Sequence, residues 1–104
     1  MNICLIYATA PSKSEARRIA RHLLDKKLIV CSNIFSGITS VYRWQGKILE
    51  EKEHVIIAKT AETNYEKVKK EVEKIHPYDI PCVFRIPVEA NRKYSEWLLK
   101  ELGK

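Results

Sequence analysis

The stretch from Leu28 to Thr60 constrains the chain more than any other. It reads LIVCSNIFSGITSVYRW, then Gln45-Gly46, then KILEEKEHVIIAKT. Both arms are rich in Ile, Val, Tyr and Thr, which suit a pleated, half-buried surface. Gln45-Gly46 is the one tight break between them, and a Gly at the second central position suits a two-residue hairpin turn. The pattern therefore predicts an antiparallel hairpin with arms of about 16 and 13 residues. At about 3.3 Å per residue the first arm would reach roughly 50 Å. A compact domain of this size has a radius of gyration near about 13 Å, hence a diameter of roughly 33 Å. Such a hairpin must bend or overhang. A bend is cheapest at Ser36-Gly37, and an overhang leaves strand edges for another chain to pair.

The rest of the chain reads as a single domain over residues 1–104. Residues 2–9 are apolar on both faces, as expected of an interior strand. Ser12 with Glu15 forms a capping box, and Ala16, Ile19, Ala20, Leu23 and Leu24 follow at helical spacing. Thr63 with Glu66 suggests a second box, opening a helix whose apolar face is Tyr65, Val68, Val72 and Ile75. That helix ends at His76 because Pro77 disfavours helical geometry before it. Residues 80–86 read as a fourth strand, with Pro81 at its start and Pro87 ending it. Asn91 can cap a last helix carrying Tyr94, Trp97, Leu98 and Leu102. The order β-α-β-β-α-β plus a helix predicts an α+β, ferredoxin-like antiparallel sheet with a long central hairpin and an extra C-terminal helix.

Composition narrows the function classes. Hydrophobic residues at 45% and charged residues at 31% describe a globular chain, not a disordered one. No apolar run is long enough for a membrane span, and MNICLIYATAPSKSE lacks a basic segment ahead of its short apolar stretch, so a cytoplasmic protein is expected. The net charge of +6 is concentrated on the first helix, where Lys13, Arg17 and Arg21 form a row at i, i+4, i+8. Cys4, Cys31 and Cys82 are an odd number at wide spacings, each expected in a strand. They match neither a disulfide framework nor a zinc pattern. A nucleic-acid reading of this fold needs aromatics on the third strand, which ends EHVIIAKT and has none. A copper-chaperone reading needs paired thiols after the first strand, where Thr9-Ala10-Pro11-Ser12 stands. No nucleophile–base pair can be placed, so no enzyme is expected.

Two polar clusters remain: Tyr42, Trp44, Glu53 and Lys59 on the hairpin with Asn33 upstream, and His76-Pro77-Tyr78-Asp79-Ile80-Pro81, a proline-clamped loop. On pattern alone, cross-strand packing with a surface ion pair explains the first better than a site does, and a helix-dipole role for His76 is favoured over a site in the second.

These stretches resemble a known family. Cys31-Ser32-Asn33-Ile34, Ser40 through Ile48, Glu53, Lys59-Thr60, the His76–Pro81 loop and Tyr94-Ser95-Glu96-Trp97-Leu98, with the early Thr9-Ala10-Pro11, are similar to the divalent-cation tolerance protein family CutA. The likeness spans essentially the whole chain, in order. It implies a ferredoxin-like subunit in a homotrimer whose hairpins pair between chains, linked to copper and other divalent metals. An alternative is a trimer like the PII signalling proteins, binding a small anionic metabolite with charge from Lys59 and the first helix. The residues carried over to the inter-subunit clefts are Asn33, Tyr42, Trp44, Glu53, Lys59, His76 and Tyr78, the hairpin from one chain meeting the His76 loop of its neighbour. Ala8 stands where some members carry Cys, and Cys82 where others carry an acid. His76 is then the remaining metal-ligand candidate, for Cu(II) or another divalent ion weakly held.

Overall fold

The computed structural model describes residues 2–104. Strand β1 (Ile3–Ala10) leads into helix α1 (Lys13–Asp25), then strands β2 (Cys31–Trp44) and β3 (Lys47–Ala61). A short 3-10 turn precedes helix α2 (Tyr65–Ile75), which is followed by strand β4 (Val83–Val88) and helix α3 (Arg92–Glu101). The four strands form one antiparallel sheet in the order β2-β3-β1-β4, the ferredoxin-like arrangement.

Period-two alternation sorts the side chains of β1. Cys4, Ile6, Ala8 and Ala10 are buried against α1 and α2, together with Ile19, Leu23, Ile56, Ala58, Val68 and Val72. Burying each large aliphatic side chain contributes about 1.5–3 kcal/mol, which makes this layer the main source of stability. Ser12 caps α1 by accepting from the Glu15 N–H at 3.1 Å. Glu71 ties α2 to α1, with its Oε1 lying 2.6 Å from His22 Nε2 and 3.1 Å from Lys26 Nζ. The opposite face of the sheet carries α3, whose Tyr94 lies beside Ile3, Leu5, Lys59 and Val88.

The hairpin overhangs, as its length requires. Strand β1 ends at Ala10, opposite His54, so residues 38–44 and 47–53 pair only with each other. The molecule measures 45 × 23 × 21 Å. Gln45 (φ 49°) and Gly46 (φ 79°) both take positive φ, which a type I′ turn demands. Between Phe35 and Ile38 the register shifts by one residue, with Gly37 at φ 74°. The bend expected at Ser36-Gly37 is therefore a bulge.

Several local expectations are corrected. The arms are 14 and 15 residues long, because β2 begins at Cys31 and β3 continues to Ala61. The Leu28 carbonyl, just outside β2, accepts from Thr60 Oγ1 at 2.6 Å. The fourth strand begins at Val83, not at residue 80, and Cys82 lies just before it. Pro87 sits inside β4, opposite Cys4. An edge strand tolerates a residue with no N–H to donate. Thr63 and Glu66 form no capping box. Asn64 occupies the N-cap, and its side chain donates to Leu28 O and Thr60 Oγ1. Asn91 is the N-cap of α3 but makes no side-chain bond there. Among the described residues no helix is long and apolar enough to cross a membrane.

Helix α1 closes with Lys27 at φ 56°, and the Leu28 N–H donates back to the Leu23 carbonyl at 3.0 Å. This is a position where glycine is the relaxed choice. Lys27→Gly should raise stability by about 0.5–1 kcal/mol in urea unfolding, the left-handed strain removed outweighing the entropy added to the unfolded chain. Unchanged or lowered stability would show that the αL turn carries no strain.

Candidate functional site: a carboxylate-lined hollow under the hairpin

The bulge decides which residues meet. Before it, Asn33 and Phe35 lie opposite Ile57 and Val55; after it, Ile38, Ser40, Tyr42 and Trp44 lie opposite Glu53, Glu51, Leu49 and Lys47. Strand partners share a face. The extra residue thus carries Tyr42 and Trp44 onto the face that bears Glu53 and, on β1, Thr9. The loop after α2 folds up against the same face. Its anchor is His76, which is 8% exposed. The Tyr78 N–H donates to His76 Nδ1 at 3.1 Å, which leaves Nε2 as the protonated nitrogen donating to the Thr9 carbonyl at 2.7 Å.

Between hairpin and loop lies a hollow of about 640 Å³, lined by Thr9, Tyr42, Trp44, Leu49, Glu51, Glu53, Pro77, Tyr78, Asp79, Ile80 and Cys82. Tyr78 Oη donates to Glu53 at 2.7 Å, and Tyr42 Oη donates to Glu51 at 2.8 Å. Burial first, and then the bond to Glu53, push the Tyr78 phenol well above its ordinary value. The bond to Glu51 raises Tyr42 likewise. Burial and the nearby Glu53 also raise the Cys82 thiol, so it stays protonated near neutral pH. The hollow offers carboxylate oxygens, phenol groups and an indole face, and among the described residues no Lys, Arg or His lines it.

Of the residues singled out from sequence, Tyr42, Trp44, Glu53 and Tyr78 line this hollow, and a single chain is enough to bring them together. His76 supports the hollow from beneath. Within one chain both ring nitrogens are engaged, Nε2 by the Thr9 carbonyl and the Nδ1 lone pair by the Tyr78 N–H, so a metal on this ring would have to displace one of those bonds. Lys59 lies six residues along β3 from Glu53, roughly 20 Å away. There its Nζ sits 5.7 Å from the Tyr94 ring centroid. Asn33, opposite Ile57, is also apart from the hollow. Sequence reasoning missed Glu51 and Thr9, and singled out Asp79 only as a member of the His76–Pro81 loop. Glu51 shares parity with Glu53, which could have revealed it. Asp79 and Thr9 depend on how the loop docks, for which the sequence carries no signal.

A metal ion needs several donors converging on one point. Among the described residues no group of three or more His, Cys, Asp and Glu side chains does so. The residues present therefore do not fit a tight divalent-metal centre within one chain.

The raised Tyr78 phenol has a testable sign. The fold favours its protonated form, so the stabilisation is full below about pH 10 and is lost as pH rises past the ordinary phenol range. In alkaline absorbance titration one tyrosine should ionise well after the others. Glu53→Gln should narrow that lag without abolishing it, because burial is the larger cause. A lag unaffected by Glu53→Gln would mean that the bond contributes nothing.

Comparison with known proteins is consistent with these features. A model of the CutA1 divalent ion tolerance protein family matches residues 4–101. The divalent-cation tolerance protein CutA of Thermus thermophilus is 39% identical over 100 residues, covering 95% of this chain and 97% of its own. The crystal structure of the divalent ion tolerance protein CutA1 from Ehrlichia chaffeensis superposes with a TM-score of 0.91 at 41% identity, over 97% of this chain and 95% of that one. A structure from Archaeoglobus fulgidus, described as a periplasmic divalent cation tolerance protein CutA, gives 0.92 at 40% identity over 96% and 98% of the two chains. With matches this long in both sequence and fold, the chain belongs to the CutA1 family of divalent ion tolerance proteins.

Proposed function

We propose that this divalent-cation tolerance protein is a cytoplasmic homotrimer that binds copper or other divalent ions weakly and responds to them, and that it acts as a binding protein, not a catalyst. The observation that carries this reading is the hollow itself, where Glu51, Glu53 and Asp79 gather on a chain whose net charge is +6. Carboxylates held without convergent coordination attract divalent ions electrostatically and release them readily. The alternative, a PII-like sensor of an anionic metabolite, is less well supported, since the hollow repels anions and Lys59 stands roughly 20 Å from it. Three free cysteines favour the reducing cytoplasm.

Assembly is supported by what the overhang leaves in solvent. Val41 is 59% exposed and Ile48 69%, both on the part of the hairpin that no other strand of the chain pairs. On the face that carries α3, Phe84 is also exposed and stacks on Tyr7. Exposed apolar surface of this kind marks an interface. Light scattering at low micromolar concentration should give about three times 12.1 kDa. Val41→Pro, which removes a strand donor, should dissociate the assembly. A stable folded monomer of the unaltered protein would end the trimer reading.

The metal reading has its own test. An ion held by carboxylates is lost as pH falls towards about 4, whereas one held by imidazole is lost already near about 6.5. Cu(II) titrations should therefore show binding that survives at mildly acidic pH and weakens about tenfold in the Glu51→Gln/Glu53→Gln double variant. Binding that disappears in His76→Ala while that variant keeps its fold and assembly would place the ion on the ring instead.

A further inference from the structure

We propose that the hollow under the hairpin is a binding site for a short aliphatic diamine or polyamine. The shape and charge of the hollow carry this beyond the metal reading. Its volume of about 640 Å³ falls within the roughly 300–1,000 Å³ of small-molecule sites, far more room than an ion requires. Its charge is one-sided, with three carboxylates and, among the described residues of the chain, no cationic side chain, on a protein that is basic overall. Each glutamate accepts a single tyrosine hydroxyl, Glu51 from Tyr42 and Glu53 from Tyr78. Those bonds fix the carboxylates in place and leave further lone pairs free for an incoming N–H donor.

Thr9 is an independent sign of a ligand. It faces the hollow, is only 9% exposed, and its hydroxyl takes part in no hydrogen bond among the described residues. The hydroxyl oxygen itself is not enclosed by protein, so its open partner position can be reached from the hollow. Trp44 and Tyr42 add aromatic faces, which attract organic ammonium groups and suit methylene chains.

Spacing selects the diamine. Glu51 and Glu53 are alternate residues of one strand, so their side chains project in parallel about 6–7 Å apart. Two ammonium groups on a four-carbon chain span about that distance, so one molecule can meet both carboxylates while its methylenes cross the Trp44 face.

Putrescine titrated calorimetrically into the assembled protein at low salt tests the proposal, with butylamine as the single-charge control. Putrescine should bind at least about tenfold more tightly than butylamine, and the Glu51→Gln/Glu53→Gln double variant should lose at least about tenfold while keeping its circular dichroism and assembly size. Thr9→Val should weaken binding several-fold, and Trp44→Leu, at an exposed position, gives a second reading should the double variant fail to fold. The proposal is overturned by an absence of putrescine binding, by equal affinity for the two amines, or by a folded double variant or Trp44→Leu that binds as the unaltered protein does. Cu(II) titrated into the same samples separates the two readings: putrescine binding without copper binding removes the metal reading alone.

Discussion

One extra residue in β2 determines what the hairpin can do. Side chains alternate along a strand, so a single inserted position moves every later one to the other face of the sheet. The bulge between Phe35 and Ile38 does this at the point where the hairpin leaves the body of the molecule. Without it, Tyr42 and Trp44 would lie on the opposite face from Glu53 and Thr9, and the His76–Pro81 loop would meet a different surface. With it, two tyrosines, a tryptophan and three carboxylates share one hollow. Gly37, at φ 74°, supplies the backbone freedom that the irregularity needs.

The second constraint is the His76 ring. Its location after a helix that Pro77 terminates, and its two hydrogen bonds, make it a strut between β1 and the loop. Removing the ring would leave the Thr9 carbonyl without its donor and the Tyr78 N–H without its acceptor, each costing about 1–3 kcal/mol if buried. A histidine on a polar loop invites reading as a ligand, and here the same polarity is used to fasten the loop. Tyr78 then reaches Glu53, so the acidic wall of the hollow depends on a residue that never touches its contents.

The fold is largely legible in the sequence. Hydrophobic periodicity locates both main helices and the hairpin, Gln45-Gly46 marks its turn, and strand length demands the overhang. The errors come where local signals compete with tertiary ones. Pro87 reads as a terminator, yet edge position in the sheet tolerates it. Thr63 and Glu66 have capping spacing, but Asn64 is claimed by the Leu28 carbonyl and shifts the helix start. The site is half legible. Tyr42, Trp44, Glu53 and Tyr78 stand out in the sequence as members of two polar and aromatic clusters, although pattern alone explains them by packing. Lys59 shares the hairpin with them, although six residues of extended strand separate it from Glu53. Glu51, Asp79 and Thr9 enter through pairing register and loop docking, which involve residues distant in sequence.

All of this turns on the hollow being built within one chain, even in an assembly of several. Isotope-filtered nuclear Overhauser spectroscopy on an assembly mixed from labelled and unlabelled chains tests that point most directly. The contacts of the Tyr78 ring with Glu53 should appear within labelled chains and vanish when the filter selects contacts between chains. If they appear in the between-chain spectrum, the loop belongs to a neighbour's hairpin, and the hollow is not a single-chain site.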